Sequence, residues 1–297
     1  MTSEEALDEI DRIHDDEPER AAAGLRSLDA AGLPAGRLPL FGFLLVHVLG
    51  EKLGQWSEAA DRLDALRAAR ADAPLAVLAH AAVAAELAGR AGNPALADLA
   101  AAGGAGEAQV LVALSALGWR PPPEPLALAA ELHRLATEAE RFDAGGPLNQ
   151  RLAVGFNNTT SSLLDRAPDP VPAAIAAALV AGANAALRFW QAAGTWVNHQ
   201  RALYLRALVA NRVGDPAAAR ADAGEALQII AANGVEEVDR AFLQLQLGSA
   251  LLRLGETAAG QAVLAEARGA AAAWDDAGLK SWFQQEQERA LATGEPR

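Results

Sequence analysis

The chain has no cysteine. A disulfide framework, a thiolate nucleophile and a cysteine-ligated metal are therefore excluded. Aromatic residues are scarce, 5% of 297 residues, with one tyrosine and one methionine. β-branched residues are few and alanine dominates, which favours helix over strand. Positive charge is in deficit as well: 25 Lys and Arg stand against 38 Asp and Glu, a formal charge of −13. A field of that sign repels a nucleic-acid duplex, so no nucleic acid is expected as a partner. The opening MTSEEALDEIDRIH is acidic. A secretory leader is basic and then apolar, and a mitochondrial one is arginine-rich, so a cytoplasmic protein is expected.

Sequence motifs of catalysis are missing too. There is no GxxxxGK[ST] phosphate loop, no HExxH, no GxSxG elbow and no glycine-rich nucleotide fingerprint after a strand. The five histidines, at 14, 47, 80, 133 and 199, are far apart, and none has a partner at ligand spacing. His199 stands beside Asn198, but nothing in its neighbourhood orients it as a general base. Thr159, Thr160, Ser161 and Ser162 are hydroxyls of a helical stretch and are expected to bond the preceding turn. The expectation is a protein without catalytic residues, metal or cofactor. The longest uncharged run, 170–187, approaches a membrane span in length. It is mostly alanine, contains Pro172, Gly182 and Asn184, and is flanked by amphipathic stretches. A buried helix is expected there, with no membrane partner.

What the chain does have is helical periodicity in pairs. Leu203, Ala207, Ala210 and Val213 recur at three- and four-residue steps. Gly214-Asp215-Pro216 interrupts them: glycine for a positive φ, aspartate as a cap, proline at the first helical position. A second apolar face follows through Ala219, Ala223, Ala226, Leu227 and Ile230. The design returns 41 residues later, Val213-Gly214-Asp215 becoming Leu254-Gly255-Glu256. Earlier copies turn at Leu53-Gly54-Gln55 and at Gly92-Asn93-Pro94, 38 residues after Gly54. Repeats of about 40 residues are the mark of a helical solenoid.

The pattern resembles the tetratricopeptide-repeat family, in its longer-repeat members. That family places a small residue seven before the turn glycine and small residues five and twelve after it. Here these are Ala207, Ala219 and Ala226 in one copy, and Gly248, Gly260 and Ala267 in the next. The Gly54 copy departs, with His47 and Leu66 at two of these positions. The resemblance implies an all-α, right-handed α-α superhelix of antiparallel helix pairs. The architecture alone does not name a ligand.

In chain order, 1–120 reads as N-terminal helical repeats. Ser3 is expected to cap the first helix, and Leu38–Leu53 to form one buried helix. Pro121-Pro122-Pro123-Glu124-Pro125 is a stiff, extended connection. From 126 to 297 the chain reads as C-terminal repeats, continuous with the first set in one solenoid. A final helix with Trp274, Leu279, Trp282 and Phe283 is expected to cap the last repeat. The alternative is that this helix pairs with a second copy, giving a homodimer.

Six of the eight asparagines lie between 149 and 211, and Phe189, Trp190, Trp196 and Tyr204 crowd the same region. Asparagine is a poor helix former that offers both a donor and an acceptor. The resemblance implies that the first helix of each repeat lines a concave groove, with asparagines holding a bound peptide backbone. By distance from Gly214, Arg201, Tyr204, Leu208, Asn211 and Arg212 face that groove. Asn198 lies one turn earlier, and Asn157 and Asn158 join from the preceding repeat. Arg201 and Arg212 would make the groove locally positive and suited to carboxylates. The expected function is a non-catalytic scaffold or adaptor that binds a peptide or protein partner there. The alternative is a closed pocket, built from the same asparagines and aromatics, that binds or transforms a small molecule.

Overall fold

The structure, a computed structural model, describes residues 2–121 and 123–292. Among the described residues there are fifteen α-helices and no strand, so the fold is all-α as expected. By contacts the chain divides into two compact units, Met1–Pro122 with Gly146–Leu148, and Pro123–Gly145 with Asn149–Arg297.

The first unit contains α1 (Ser3–Ile13), α2 (Pro18–Ser27), α3 (Leu38–Leu44), α4 (Trp56–Ala69), α5 (Leu75–Leu87), α6 (Pro94–Gly103) and α7 (Ala105–Trp119). Three sequence expectations are corrected here. The cap of α1 is Thr2 rather than Ser3. Thr2 Oγ1 accepts from the Glu5 amide at 3.2 Å, and the Glu5 carboxylate accepts from the Thr2 amide at 2.8 Å. That reciprocal box needs Glu or Gln three residues on, and Ser3 has Ala6 there. Next, α3 does not run unbroken to Leu53; it passes into a π-helical stretch, Leu45–Lys52. Finally, the left-handed turn glycine between α5 and α6 is Gly89, with φ +66°, rather than Gly92. The Asn93-Pro94 pair still opens α6 as expected: Asn93 Oδ1 accepts from the Leu96 amide at 3.0 Å.

The second unit contains α8 (Pro125–Ala139), α9 (Asn149–Arg166), α10 (Ala173–Ala193), α11 (Trp196–Val213), α12 (Pro216–Asn233), α13 (Glu237–Arg253), α14 (Thr257–Ala272) and α15 (Ala277–Ala292). Each helix packs on the next, and α9, α11, α13 and α15 also touch one another in that order. The odd-numbered helices thus form one layer. The apolar run 170–187 lies largely in α10, the one described helix long and apolar enough to cross a membrane. Half of its most apolar window is buried, and it packs against α8, α9 and α11.

The turns are built as the repeat pattern requires. Gly214 takes φ +87° and Gly255 φ +80°, where any other residue would be strained. Asp215 accepts from the Ala218 amide at 3.0 Å, and Pro216 opens α12. The small positions are the points of closest helix approach. Ala207, Ala219 and Ala226 are fully buried. A Cβ placed on Gly248 would lie 3.1 Å from the carbonyl oxygen of Gly260, and one on Gly260 would lie 3.0 Å from that of Gly248. The backbones of α13 and α14 are therefore in direct contact.

Two glycine variants separate contact from propensity. Gly248→Val would press its Cβ to 2.6 Å from Leu264 Cγ as well as on the Gly260 carbonyl. It is expected to lower stability by about 1–3 kcal/mol in urea unfolding. Gly224→Ala, inside α12 with nothing within 4 Å of the new Cβ, should raise it by up to about 1 kcal/mol. Equal midpoints for the two would refute the backbone contact.

Candidate functional site

The layer of odd helices borders an open cavity of about 800 Å³, lined from α9 and the segment just after it, α11, α13 and α15. Six of the eight residues expected in a groove line it: Asn157, Arg201, Tyr204, Leu208, Asn211 and Arg212. The other two do not. Asn158 is exposed beside Asn157, whose Nδ2 donates to Asn158 Oδ1 at 3.4 Å. Asn198 closes the N-terminus of α11, its Oδ1 accepting from the Thr195 amide at 2.9 Å and the Thr195 hydroxyl at 3.0 Å. A polar residue three positions into a helix serves the cap when a threonine precedes it at that spacing.

The aromatic cluster also divides. Trp190 and Trp196 pack against the core between α11 and α12. Phe189 is buried and stacked on Phe156 at 6.0 Å. Only Tyr204 of the four reaches the cavity, where it joins Phe242 and Trp282. The Trp282 ring lies 4.4 Å from that of Phe242. Phe283, on the same helix, is buried in the core formed with α13 and α14, so α15 packs against the last helix pair. Burial and the negative charges of Glu286, Asp239 and Asp165 push the Tyr204 hydroxyl up, which keeps it a protonated donor.

The cavity is not the positive island that Arg201 and Arg212 suggest in the sequence. Arg201 pairs with Asp239 at 2.7 Å, and Arg212 with Asp169 at 3.3 Å. Arg212 also donates to the carbonyls of Ala167 and Pro168 at 3.1 and 3.3 Å, tying down the chain beyond α9. Arg289, on α15, pairs with Asp165 on α9 at 3.3 Å and with Glu286 at 2.9 Å. Arg253 donates to the carbonyls of Asn211 and Ala290. Three of the lining arginines thus meet four carboxylates while Arg253 holds backbone carbonyls, and the formal charges of the lining balance.

The unspent polarity belongs to carboxamides. Gln200, Asn211 and Gln246 are 0%, 4% and 2% exposed and all line the cavity. Gln200 Nε2 donates to Asp239, but Gln200 Oε1 has no protein partner. Asn211 Nδ2 donates to the carbonyl and the Oε1 of Gln246, both at 3.0 Å. Asn211 Oδ1 and Gln246 Nε2 are left without protein partners. Two acceptors and one donor are therefore buried without protein partners on neighbouring helices. Gln200 and Gln246 were not among the expected site residues. Helical spacing carries their signal: Gln200, Tyr204, Leu208 and Asn211 form one stripe, and Asp239, Phe242, Gln246 and Arg253 another.

Of the remaining reactive side chains, Ser161 lines the cavity, while His199, Thr160 and the first-unit histidines lie elsewhere. His199 Nε2 sits 3.2 Å from Gln191 Nε2 and 4.0 Å from Glu225, away from the cavity lining. The Thr160 hydroxyl bonds no preceding turn; it is buried where Gly182 leaves room for it. In the first unit, the neighbours His14 and Asp15 and the distant His47, 32 residues beyond Asp15, are brought within 4.8 Å of one another, atom to atom.

Glu286 gives the cavity a pH signature. Burial, reinforced by Asp165 and opposed by Arg289, pushes its carboxyl up. The folded chain then binds this proton more readily than the unfolded chain. The contribution to stability is complete below the unfolded value of about 4.3 and is lost as pH rises through the folded value. Glu286→Gln should therefore melt above the wild type at pH 7, with the gap closing as pH falls towards about 4. A variant that melts below the wild type at pH 7 would contradict this.

Compared with protein-family models, with curated proteins and with solved structures, the chain matches none of them.

Proposed function

We propose that the protein is a non-catalytic, cytoplasmic binding scaffold of tetratricopeptide-like build, and that its second unit holds an extended peptide segment of a partner protein. The observation that carries this is the set of buried, unpartnered carboxamide atoms of cavity-lining residues on α11 and α13. Buried polar atoms without partners cost about 1–3 kcal/mol each, so a cavity that keeps them gains when a ligand pairs with them. Two acceptors and one donor match the alternating N–H and C=O groups of a peptide backbone. Tyr204, Phe242 and Trp282 supply the apolar and aromatic surface that anchors side chains at interfaces. The paired arginines, by contrast, hold the walls in place and leave little net charge to select a ligand by sign.

A second reading has its own support. A volume of about 800 Å³ is within the range of small-molecule pockets. The two readings part on what the carboxamides prefer.

Selection of displayed random peptides on the immobilised full-length chain tests the proposal. Selected peptides should bind in solution, and an Asn211→Leu, Gln246→Leu variant that remains helical should bind them roughly tenfold or more weakly. Peptides held equally well by that variant would refute the proposal. A failure to select any peptide, with a small molecule protecting the cavity instead, would favour the second reading.

A further inference from the structure

We propose that His14, Asp15 and His47, in the first unit, form a binding site for a divalent transition ion of the zinc type. Its position and chemistry are independent of the cavity in the second unit.

The hydrogen-bond accounting of the two imidazoles points there. His14 follows the last turn of α1, and its Nδ1 lies against the Asp11 carbonyl oxygen. His47 is in the π-helical stretch, and its Nδ1 lies 2.5 Å from Glu51 Oε2. A carbonyl and a carboxylate only accept, so each Nδ1 carries a proton. In a neutral ring Nε2 is then a bare lone pair. Both Nε2 atoms face one carboxylate: His14 Nε2 is 3.4 Å from Asp15 Oδ2, and His47 Nε2 is 3.3 Å from Asp15 Oδ1. Lone pairs turned on a carboxylate need a cation among them. A second proton on each ring would meet that need with two charges; one bound ion meets it with all three groups as ligands.

The dimensions suit such an ion. Ligand atoms at about 2.0–2.1 Å from a tetrahedral centre are about 3.4 Å apart, which is the spacing seen from each imidazole to Asp15. The two Nδ1 acceptors form the outer layer that fixes tautomer and ring orientation at metal-bound histidines. Phe43 stacks on the His47 ring at 5.4 Å, and Trp119 lies 5.9 Å from it, so the ring is held before any ion arrives. The Asp15 side chain is 64% exposed, which leaves a solvent-facing fourth position. Lys52 Nζ binds Asp15 Oδ1 at 2.9 Å and neutralises one charge of an acidic surround that includes Asp16 and Glu51. Two imidazoles with one carboxylate favour zinc, cobalt, nickel or copper over magnesium or calcium.

The test uses the full chain after treatment with a chelator. Zn²⁺ is titrated calorimetrically, and Co²⁺ by visible absorption. One ion per chain is expected, with a dissociation constant of about 10 μM or below and a rise in melting temperature with Zn²⁺. Asp15→Asn should weaken binding at least tenfold. Glu51→Gln, which alters the partner of His47 Nδ1 and removes one charge from the surround, should weaken it about 10-fold or more. His133→Ala should bind as the wild type does. Asp15 and Glu51 lie at the surface of the site, so these variants test the ligands without removing a packed ring. Absence of saturable Zn²⁺ binding below about 1 mM, or unchanged affinity in Asp15→Asn, would overturn the proposal.

Discussion

Close approach of helices at small side chains governs the second unit. Where Gly248 meets Gly260, two backbones touch with no side chain between them. Ala207 and Ala226 share one core, and Ala219 packs in another with Ala210 and Ala250, so at these positions helices meet through methyl groups. Such contacts leave little room for slippage, because a single added methylene has no space to occupy. They also fix rotation. With its small face turned to its partner, each of α11 and α13 must present the stripe on another side to the layer of odd helices. Tyr204 and Asn211 face the cavity on α11, and Phe242 and Gln246 on α13, because the small residues between them face away.

Electrostatics then determines how the cavity is held. A chain with a formal charge of −13 gathers four arginines around one space and matches each with an acceptor. Arg201 bridges α11 to α13, and Arg289 bridges α15 to α9, so two of the ion pairs cross between lining helices. The bridges at the rim are exposed and each contributes little. Their effect is geometric: they occupy the charges and leave buried neutral carboxamides with unpartnered hydrogen-bonding atoms. Burial of Gln200, Asn211 and Gln246 makes their unpartnered atoms costly in isolation.

The sequence discloses the periodic part of this arrangement. Turn glycines at 54, 214 and 255, the Asp215 and Asn93 caps, and the small positions around Gly214 and Gly255 are local signals, each with one dominant physical cause. The stripe from Arg201 to Arg212 follows from the same periodicity. Pairing between helices is not local and is less visible. Asn198 is held by Thr195, three residues before it, a local capping partner rather than a ligand. Arg201 and Arg212 look unpaired until Asp239 and Asp169 arrive from 38 and 43 residues away. Trp282 and Glu286 enter the cavity only because α15 packs back on α13, which composition cannot announce.

The copy whose small positions break the repeat pattern is informative for a different reason. At Gly54 the small position seven residues before the turn is occupied by His47. In an ordinary α-helix that residue would press into the facing helix. Here the stretch Leu45–Lys52 is π-helical, and a wider turn changes which residues face the partner. Close approach passes to Gly50, where a Cβ would fall 2.3 Å from the Trp56 ring. His47 is released towards Asp15 and His14, and Glu51, four residues on, is placed on its second nitrogen. Departures from a consistent local pattern concentrate where a chain is asked to do something besides fold. The same irregularity that weakens the repeat in this copy is thus what assembles two distant histidines around one carboxylate.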